Sequence, residues 1–357
     1  MRAPLGPIAL CVIGLLAPAS ASTQPLAAPF DVEARRAVWG AAVRPFRCGD
    51  APAPLRNVEA DGYYADRSFS VVDPARYERL REAVRPIASL VQGVSAMTGD
   101  WVRSLPADGE RARCAIGWLD GWARSGALLG EVTLQGGYER KWALAAVALS
   151  WLSLRGAPDL DRAAAGRIVA WIGALAAAVR PPYEDERRND ARNNHAYWAA
   201  LATAAAAVAT DDRALFDWAL VRARRGLAEI GEDGTLPLEM ARRSKALHYH
   251  LFSAAPLVLV AEIAAANGID LFRERNGALH RLVRRTLDGL ADPSFFATRT
   301  GAPQDFVGGE IGRWHVAWVE PYFARFPAER RQGLLDRFRP MTNSWLGGDT
   351  TLFYGSR

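Results

Sequence analysis

The chain has 357 residues, half of them hydrophobic and 23% charged, with 44 Lys and Arg against 39 Asp and Glu for a formal charge of +5. That balance excludes a disordered polyelectrolyte and leaves ample length for one large domain or two ordinary ones. Little Val/Ile/Thr alternation in an Ala-, Leu-, Arg- and Trp-rich sequence argues against a sheet protein, and the positive charge suits an anionic partner.

At the N-terminus, Met1-Arg2 precedes an apolar run over residues 8–16 and then Ala19-Ser20-Ala21. This pattern predicts a signal peptide over 1–21, export to the periplasm, and a mature chain of 22–357. The apolar run is too short to span a bilayer, and no later stretch reaches roughly 20 uninterrupted apolar residues, so no membrane insertion is expected. An exported protein rarely meets nucleic acid, which makes an acidic polysaccharide or a membrane surface the expected anion. Cys48 and Cys114 remain after cleavage, an even pair that an oxidising compartment would close into a disulfide; free thiols are the alternative. Closing that 66-residue separation corresponds to roughly 4 kcal/mol on the chain-entropy model.

Residues 49–73, "GDAPAPLRNVEADGYYADRSFSVVD", lack helical periodicity and are long for a connection. They form either a slack arm or a lid, and Tyr63, Tyr64 and Arg67 favour a lid, since rings and a cation are useful against sugars and carboxylates. Amphipathic helices are then predicted at 74–104, 112–128, 138–154, 158–179, 194–209, 213–229, 236–267, 276–291, 312–325 and 328–338, joined by short Gly, Pro and Asp punctuation. Such short connections give antiparallel hairpins, and no compositional break divides 22–357. One all-α domain is expected.

Two stretches carry candidate chemistry. In "NNHAYW" (193–198), Asn193 or Asn194 caps a helix, leaving the other amide and His195 facing a helix mouth that favours a carboxylate. The plainer alternative is a cap with Tyr197 and Trp198 in the core. In "RRSKALHYH" (242–250), Arg242, Lys245 and Tyr249 fall at i, i+3 and i+7, so two cations flank a phenol on one helical face with no carboxylate between them. The alternative is an Arg-rich surface stripe. His248 and His250 diverge by about 200° on a helix and cannot chelate together. With no HExxH, cysteine cluster or calcium loop, neither metal nor cofactor is expected. A Gly-x-Ser-x-Gly elbow and a phosphate-cradling Gly loop are also missing.

Together with "RKWAL" (140–144), "LFDWA" (215–219), "NGALHRL" (276–282) and "WVEPY" (318–322), these stretches resemble, in order and over most of the mature chain, the alginate lyases of polysaccharide lyase family five, the poly(mannuronate) lyases. The resemblance implies an incomplete α/α toroid with a mobile lid, acting on a uronic-acid polymer by metal-independent β-elimination; a monomer is expected, though nothing in the sequence fixes it. By motif match it assigns catalytic positions to Asn194, His195, Arg242 and Tyr249. It sets Gln135, Gly136, Lys141 and Trp142 near the sugar-contacting stretch, and Tyr63 or Tyr64 as the lid aromatic. Trp198, Lys245 and Arg67 complete the expected substrate contacts.

Elimination removes the proton on C5, beside a carboxylate whose charge opposes a carbanion. Asn194 is expected to hydrogen-bond that carboxylate and Arg242 to pair with it. Tyr249 would protonate the departing O4, while the C5 proton goes to His195 or to Tyr249 itself, depending on sugar stereochemistry. Ionising a tyrosine two units below its ordinary pKa costs about 2.7 kcal/mol, and Arg242 is the expected source of relief. The chain departs from the family at "NSWLGG" (343–348), where Trp345 replaces an arginine, and in the charged approach "YEDERRNDAR" (183–192).

Two other functions remain open at this stage. A glycosidase on a helical toroid needs two facing carboxylates, and Asp120, Glu131, Asp217 and Glu239 are available without a marked pair. A noncatalytic polysaccharide-binding protein would keep the basic cleft but have little use for Tyr249 beside Arg242.

Overall fold

The structure is a computed structural model that describes residues 24–42, 44–105 and 109–356. The expected signal peptide, 1–21, lies outside the described residues. The helices are α1 (Val32–Trp39), α2 (Pro74–Ala83), α3 (Arg85–Arg103), α4 (Gly109–Arg124), α5 (Leu134–Leu154), α6 (Arg162–Val179), α7 (Asn194–Thr210) and α8 (Arg213–Glu229). They continue with α9 (Pro237–Met240), α10 (Ala246–Ala266), α11 (Glu274–Ala291), α12 (Ser294–Thr300), α13 (Arg313–Val316), α14 (Val319–Arg325), α15 (Gln332–Phe338) and α16 (Thr350–Tyr354). Between the last two, β1 (Thr342–Asn343) and β2 (Gly348–Asp349) pair antiparallel.

Local chemistry sets the boundaries. Asp73, Thr133, Asp161, Asn193, Asp212 and Asp349 each accept a backbone N–H at the start of α2, α5, α6, α7, α8 and α16, each cap worth about 1 kcal/mol. The helix expected over 74–104 is instead two, because Pro86 has no N–H to continue the ladder back to Glu82. The helix expected over 236–267 is also interrupted. Arg243 adopts a left-handed φ of 52°, a short 3-10 turn follows over Arg243–Lys245, and α10 starts only at Ala246. Helices α1, α12 and α16 were not expected.

The chain folds as a mostly helical, incomplete α/α toroid. Helices α3, α5, α7 and α10 form an inner wall in which α5 packs on α3 and α7, and α7 on α10. Each returns through an outer partner, in the hairpins α3–α4, α5–α6, α7–α8 and α10–α11. The inner helices α5, α7 and α10 are buried on every face over most of their length, as in α5 from Glu139 to Leu154 and α7 from Ala196 to Ala209, while α3 keeps one exposed stripe. Outer helices bury one stripe, such as Ala164, Ile168, Trp171, Ile172 and Leu175 in α6. Alanines along α7 let α5, α8 and α10 approach closely, and one apolar core runs through these helices. Segments 162–183 and 243–266 are apolar and long enough to cross a bilayer, but the second is 89% buried within the fold, which accounts for its composition.

Cys48 and Cys114 form a disulfide that ties the N-terminal arm to α4. The arm is laced down beyond it: Trp118 and Trp122 donate to the carbonyls of Gly49 and Pro52, and Val58 bridges to Val132. Only the second half of the 49–73 segment is free to arch over the toroid's mouth.

Candidate active site

Early turns of α5, α7 and α10 meet, beside the length of α3, at a cavity of about 1680 Å³, well above the 300–1,000 Å³ or so of ordinary small-molecule sites. Gln135, Tyr138, Glu139 and Trp142 of α5, His195 of α7, and His248, Tyr249 and Phe252 of α10 all line it. Helix N-termini carry partial positive charge, so this convergence favours an anion. Arg76, Arg79 and Arg81 of α2 extend the positive wall, and Trp314 and Trp345 add aromatic surface.

The loop over residues 61–72 closes one side. Asp66 organises it, accepting from the backbone N–H groups of Ser68, Ser70 and Val71 and from both serine hydroxyls. Burial would raise its pKa, but these hydrogen bonds hold it far below the usual carboxylate range. The loop brings the Tyr64 hydroxyl to 2.6 Å from that of Tyr249, with Tyr63 packed beside Tyr64 at 4.4 Å between rings.

Beneath the loop, the Arg242 guanidinium lies 4.3 Å from the centre of the Tyr249 ring and 5.0 Å from that of Phe69. Glu239, fully buried, stands 3.6 Å from Arg242. Burial raises the Tyr249 pKa and the Arg242 charge pulls it down; burial wins, so the phenol is neutral. Burial also drives His195 well below its ordinary value, helped by the charges of Lys141 and Arg242. Its ring stacks on Tyr138 at 3.7 Å, and the Tyr138 hydroxyl donates to Asp190, which two Arg188 nitrogens hold in turn.

His195, Arg242 and Tyr249 therefore share one cavity with Gln135, Trp142, Tyr63 and Tyr64. Other expected contacts lie elsewhere. Asn194 is fully buried behind the wall, where its backbone N–H and its side-chain amide both donate to Glu239, while Asn193 supplies the cap and lines the cavity. Lys245 is turned away by the left-handed Arg243 and pairs with Asp305 at 2.8 Å. Trp198 is a core residue bonded to the Phe252 carbonyl. Arg67 is exposed on the loop and does not line the cavity. Gly136 serves packing, since a Cβ there would meet the Val58 carbonyl oxygen at 1.9 Å. Lys141 is fully buried beneath His195, bonded to its Nδ1.

Sequence reasoning missed Tyr138 and Glu139 in the cavity wall. Tyr138 shares a helical face with Gln135 and Trp142, at steps of three and four, a signal that was available. Glu139 is buried and lines the cavity; burial lifts its pKa to about 7 despite a hydrogen bond from Gln135. Glu239, offered by the sequence only as a carboxylate for hydrolysis, is fully buried beside Arg242 and does not line the cavity; that place could not be read from the 242–249 stripe, because Glu239 precedes it across the turn. The four carboxylates offered for hydrolysis are not gathered: Asp120 is engaged by Arg124 and Arg167, and none of Asp120, Glu131, Asp217 and Glu239 lines the cavity. His250 is a structural residue, its Nε2 accepting from Leu236 and its Nδ1 donating to the Ala246 carbonyl.

A family model described as alginate lyase matches residues 57–296. A polysaccharide lyase of Stenotrophomonas maltophilia (strain K279a) is 37% identical over 312 residues, covering 85% of this chain and 90% of its own length. An alginate lyase of Pseudomonas putida is 36% identical over 324 residues, covering 87% and 86% respectively. Among solved structures, a tyrosine-to-phenylalanine variant of alginate lyase A1-III complexed with tetrasaccharide matches with a TM-score of 0.83 and 25% identity, over 93% of this chain and 96% of that one. Alginate lyase A1-III from Sphingomonas species A1 shares the fold, with a TM-score of 0.78 and 24% identity over 91% and 95% of the two chains.

Proposed function

The chain belongs to the alginate lyase family, and on that premise we propose that it depolymerises a polyuronate, alginate or its mannuronate-rich form, by metal-independent β-elimination. It is a polysaccharide lyase, a carbon–oxygen lyase. The reading of the site rests above all on one arrangement: the Tyr249 hydroxyl faces a roomy cavity with the Arg242 guanidinium against its ring and His195 on the same wall.

In the proposed reaction, Arg242 pairs with the uronate carboxylate and withdraws charge as C5 loses its proton. On a mannuronate residue the C5 proton passes to Tyr249, the C5–H electrons form the C4=C5 double bond, the C4–O4 bond breaks, and O4 leaves with the proton that Tyr249 returns. Where C5–H and O4 lie on one face, as in mannuronate, the Tyr249 phenolate first takes the C5 proton and the resulting phenol returns it to O4. Asn194 acts at one remove, holding Glu239, which steadies Arg242. Tyr64 and Tyr63 close over the sugar, and Trp142 and Trp345 offer a face for ring stacking.

We further propose export through residues 1–21 and work in the periplasm as a monomer without membrane insertion; the disulfide suits an oxidising compartment. The deciding experiment offers purified protein polymannuronate, polyguluronate and polyglucuronate, with and without a chelator, while following ultraviolet absorbance and product size together. New absorbance from 4,5-unsaturated ends, insensitive to the chelator, is expected. Shortening without absorbance would mean hydrolysis, and binding without new ends would mean a polysaccharide-binding protein.

A further inference from the structure

We propose that Lys141 is a positioning residue that fixes the proton of His195 on Nε2, so that the imidazole faces the cavity as a hydrogen-bond donor and cannot serve as the base for C5. Its consequence for the reaction rests on the lyase reading above; the placement of the proton does not.

Lys141 is fully buried on the second turn of α5. None of the described ion pairs includes it, which is unusual for a buried ammonium. Its Nζ stands 3.0 Å from His195 Nδ1 and 3.1 Å from the Tyr183 hydroxyl. The rings of Tyr138, Trp142 and Tyr183 surround it at 4.8, 4.9 and 5.3 Å, a cage whose faces stabilise a cation.

The direction of the Lys141–His195 bond follows from what each group can do. A charged lysine has three donors and no acceptor, so Nδ1 must accept. A neutral lysine has one lone pair, and the Tyr183 O–H is the stronger donor competing for it. An amine N–H is then still directed at Nδ1. In both states the ring proton is displaced to Nε2, the nitrogen on the edge away from the buried lysine.

Burial first, and the surrounding charges second, keep the ring neutral. Lys141 from α5 and Arg242 from across the cavity oppose a second proton. The nearby acids are otherwise engaged: Asp190 is held by Arg188 and Tyr138, Glu139 by Gln135, and Glu239 by Asn194 and Arg242. Stacking on Tyr138 and the Asn193 cap to the His195 backbone fix the ring plane. An N–H at this position can meet the substrate carboxylate beside Arg242, which leaves Tyr249 as the group that moves protons.

The test is nitrogen-15 NMR of histidine-labelled full-length protein, with His195 assigned by its loss in His195→Gln. Wild type is expected to show Nδ1 unprotonated and Nε2 protonated, unchanged through the neutral range. In Lys141→Met, of similar length but without a donor, a mixture of tautomers is expected, with kcat lowered by about tenfold or more. Lys141→Arg, which keeps a donor, should restore the wild-type signature. Wild-type His195 carrying its proton on Nδ1, or doubly protonated near neutrality, would overturn the proposal, as would a Lys141→Met protein with an unchanged tautomer. A wild type with Nε2 protonated that forms no unsaturated ends would sink the lyase reading and leave the role of Lys141 standing.

Discussion

The hydroxyls of Tyr64 and Tyr249 meet at 2.6 Å, one carried by the loop across the cavity and the other by the helix beneath it. Loop closure and the reacting phenol are thereby joined through one hydrogen bond. Tyr249→Phe should lower kcat by about a thousandfold or more, because it removes the group that moves protons. Tyr64→Phe removes one hydrogen bond and should cost about tenfold. Steady-state rates on polymannuronate decide this; equal losses in the two variants would contradict the division of roles.

Activity should climb with pH. Burial holds the Tyr249 pKa above its ordinary value of 10.0 against the pull of Arg242, so the phenolate is scarce at neutrality. Its fraction grows about tenfold per pH unit below that pKa, and kcat/KM should rise accordingly. Arg242→Gln removes the lowering charge and should push the rise to still higher pH. A profile that falls across the same range would rule out Tyr249 as the base.

Glu139 should make the protein less stable at neutral than at acidic pH. Its folded pKa of about 7 lies above the usual 4.5, so between those values the folded state binds the proton that the unfolded state has lost. Stability from this group is present below about pH 4.5, falls as pH rises and levels off above 7, a change of up to about 3 kcal/mol. Glu139→Gln should melt a few degrees higher than wild type in mildly alkaline buffer and alike near pH 4. Identical melting differences at both pH values would contradict it.

Asp66→Ala should loosen the loop without unfolding the toroid, since the hydrogen bonds it loses lie within residues 66–71. KM should rise by about tenfold, matching a loss near 1.4 kcal/mol. Trypsin should cut faster at the exposed Arg67, while the melting temperature stays within about two degrees. Wild-type resistance to trypsin would show that the loop has other anchors.

Trp345 stacks on Trp142 at 4.9 Å between rings, with Phe252 edge-on at 6.1 Å. Trp345→Ala should raise KM about fivefold through the loss of roughly 1 kcal/mol of aromatic contact, and Trp345→Phe should recover most of it. Binding of short oligouronates by calorimetry, unaltered in both variants, would remove this platform from the substrate path.

Much of the fold could be read from the sequence because short Gly, Pro and Asp punctuation separates its helices, although α5, α7 and α10 are buried nearly all round and not amphipathic as expected; much of the site was legible because His195 and Tyr249 occupy first turns marked by a cap and by a run of cations. What escaped was local geometry. Reading 242–249 as one helix put Lys245 beside Tyr249; the left-handed Arg243 breaks that register and sends Lys245 to Asp305. The two adjacent asparagines could not be told apart by type, yet Asn193 caps while Asn194 reaches Glu239. Tertiary partners such as Lys141 and His195, 54 positions apart, leave no periodic trace.

The alanine-lined packing of α7 against α5, α8 and α10 leaves no slack under the reacting groups. Any retuning of this protein toward another uronate or chain length must then be achieved at the rim, through the loop bearing Tyr64 and the ribbon bearing Trp345. Those two pieces can be exchanged between homologues as cassettes, with the chemistry beneath left as it is.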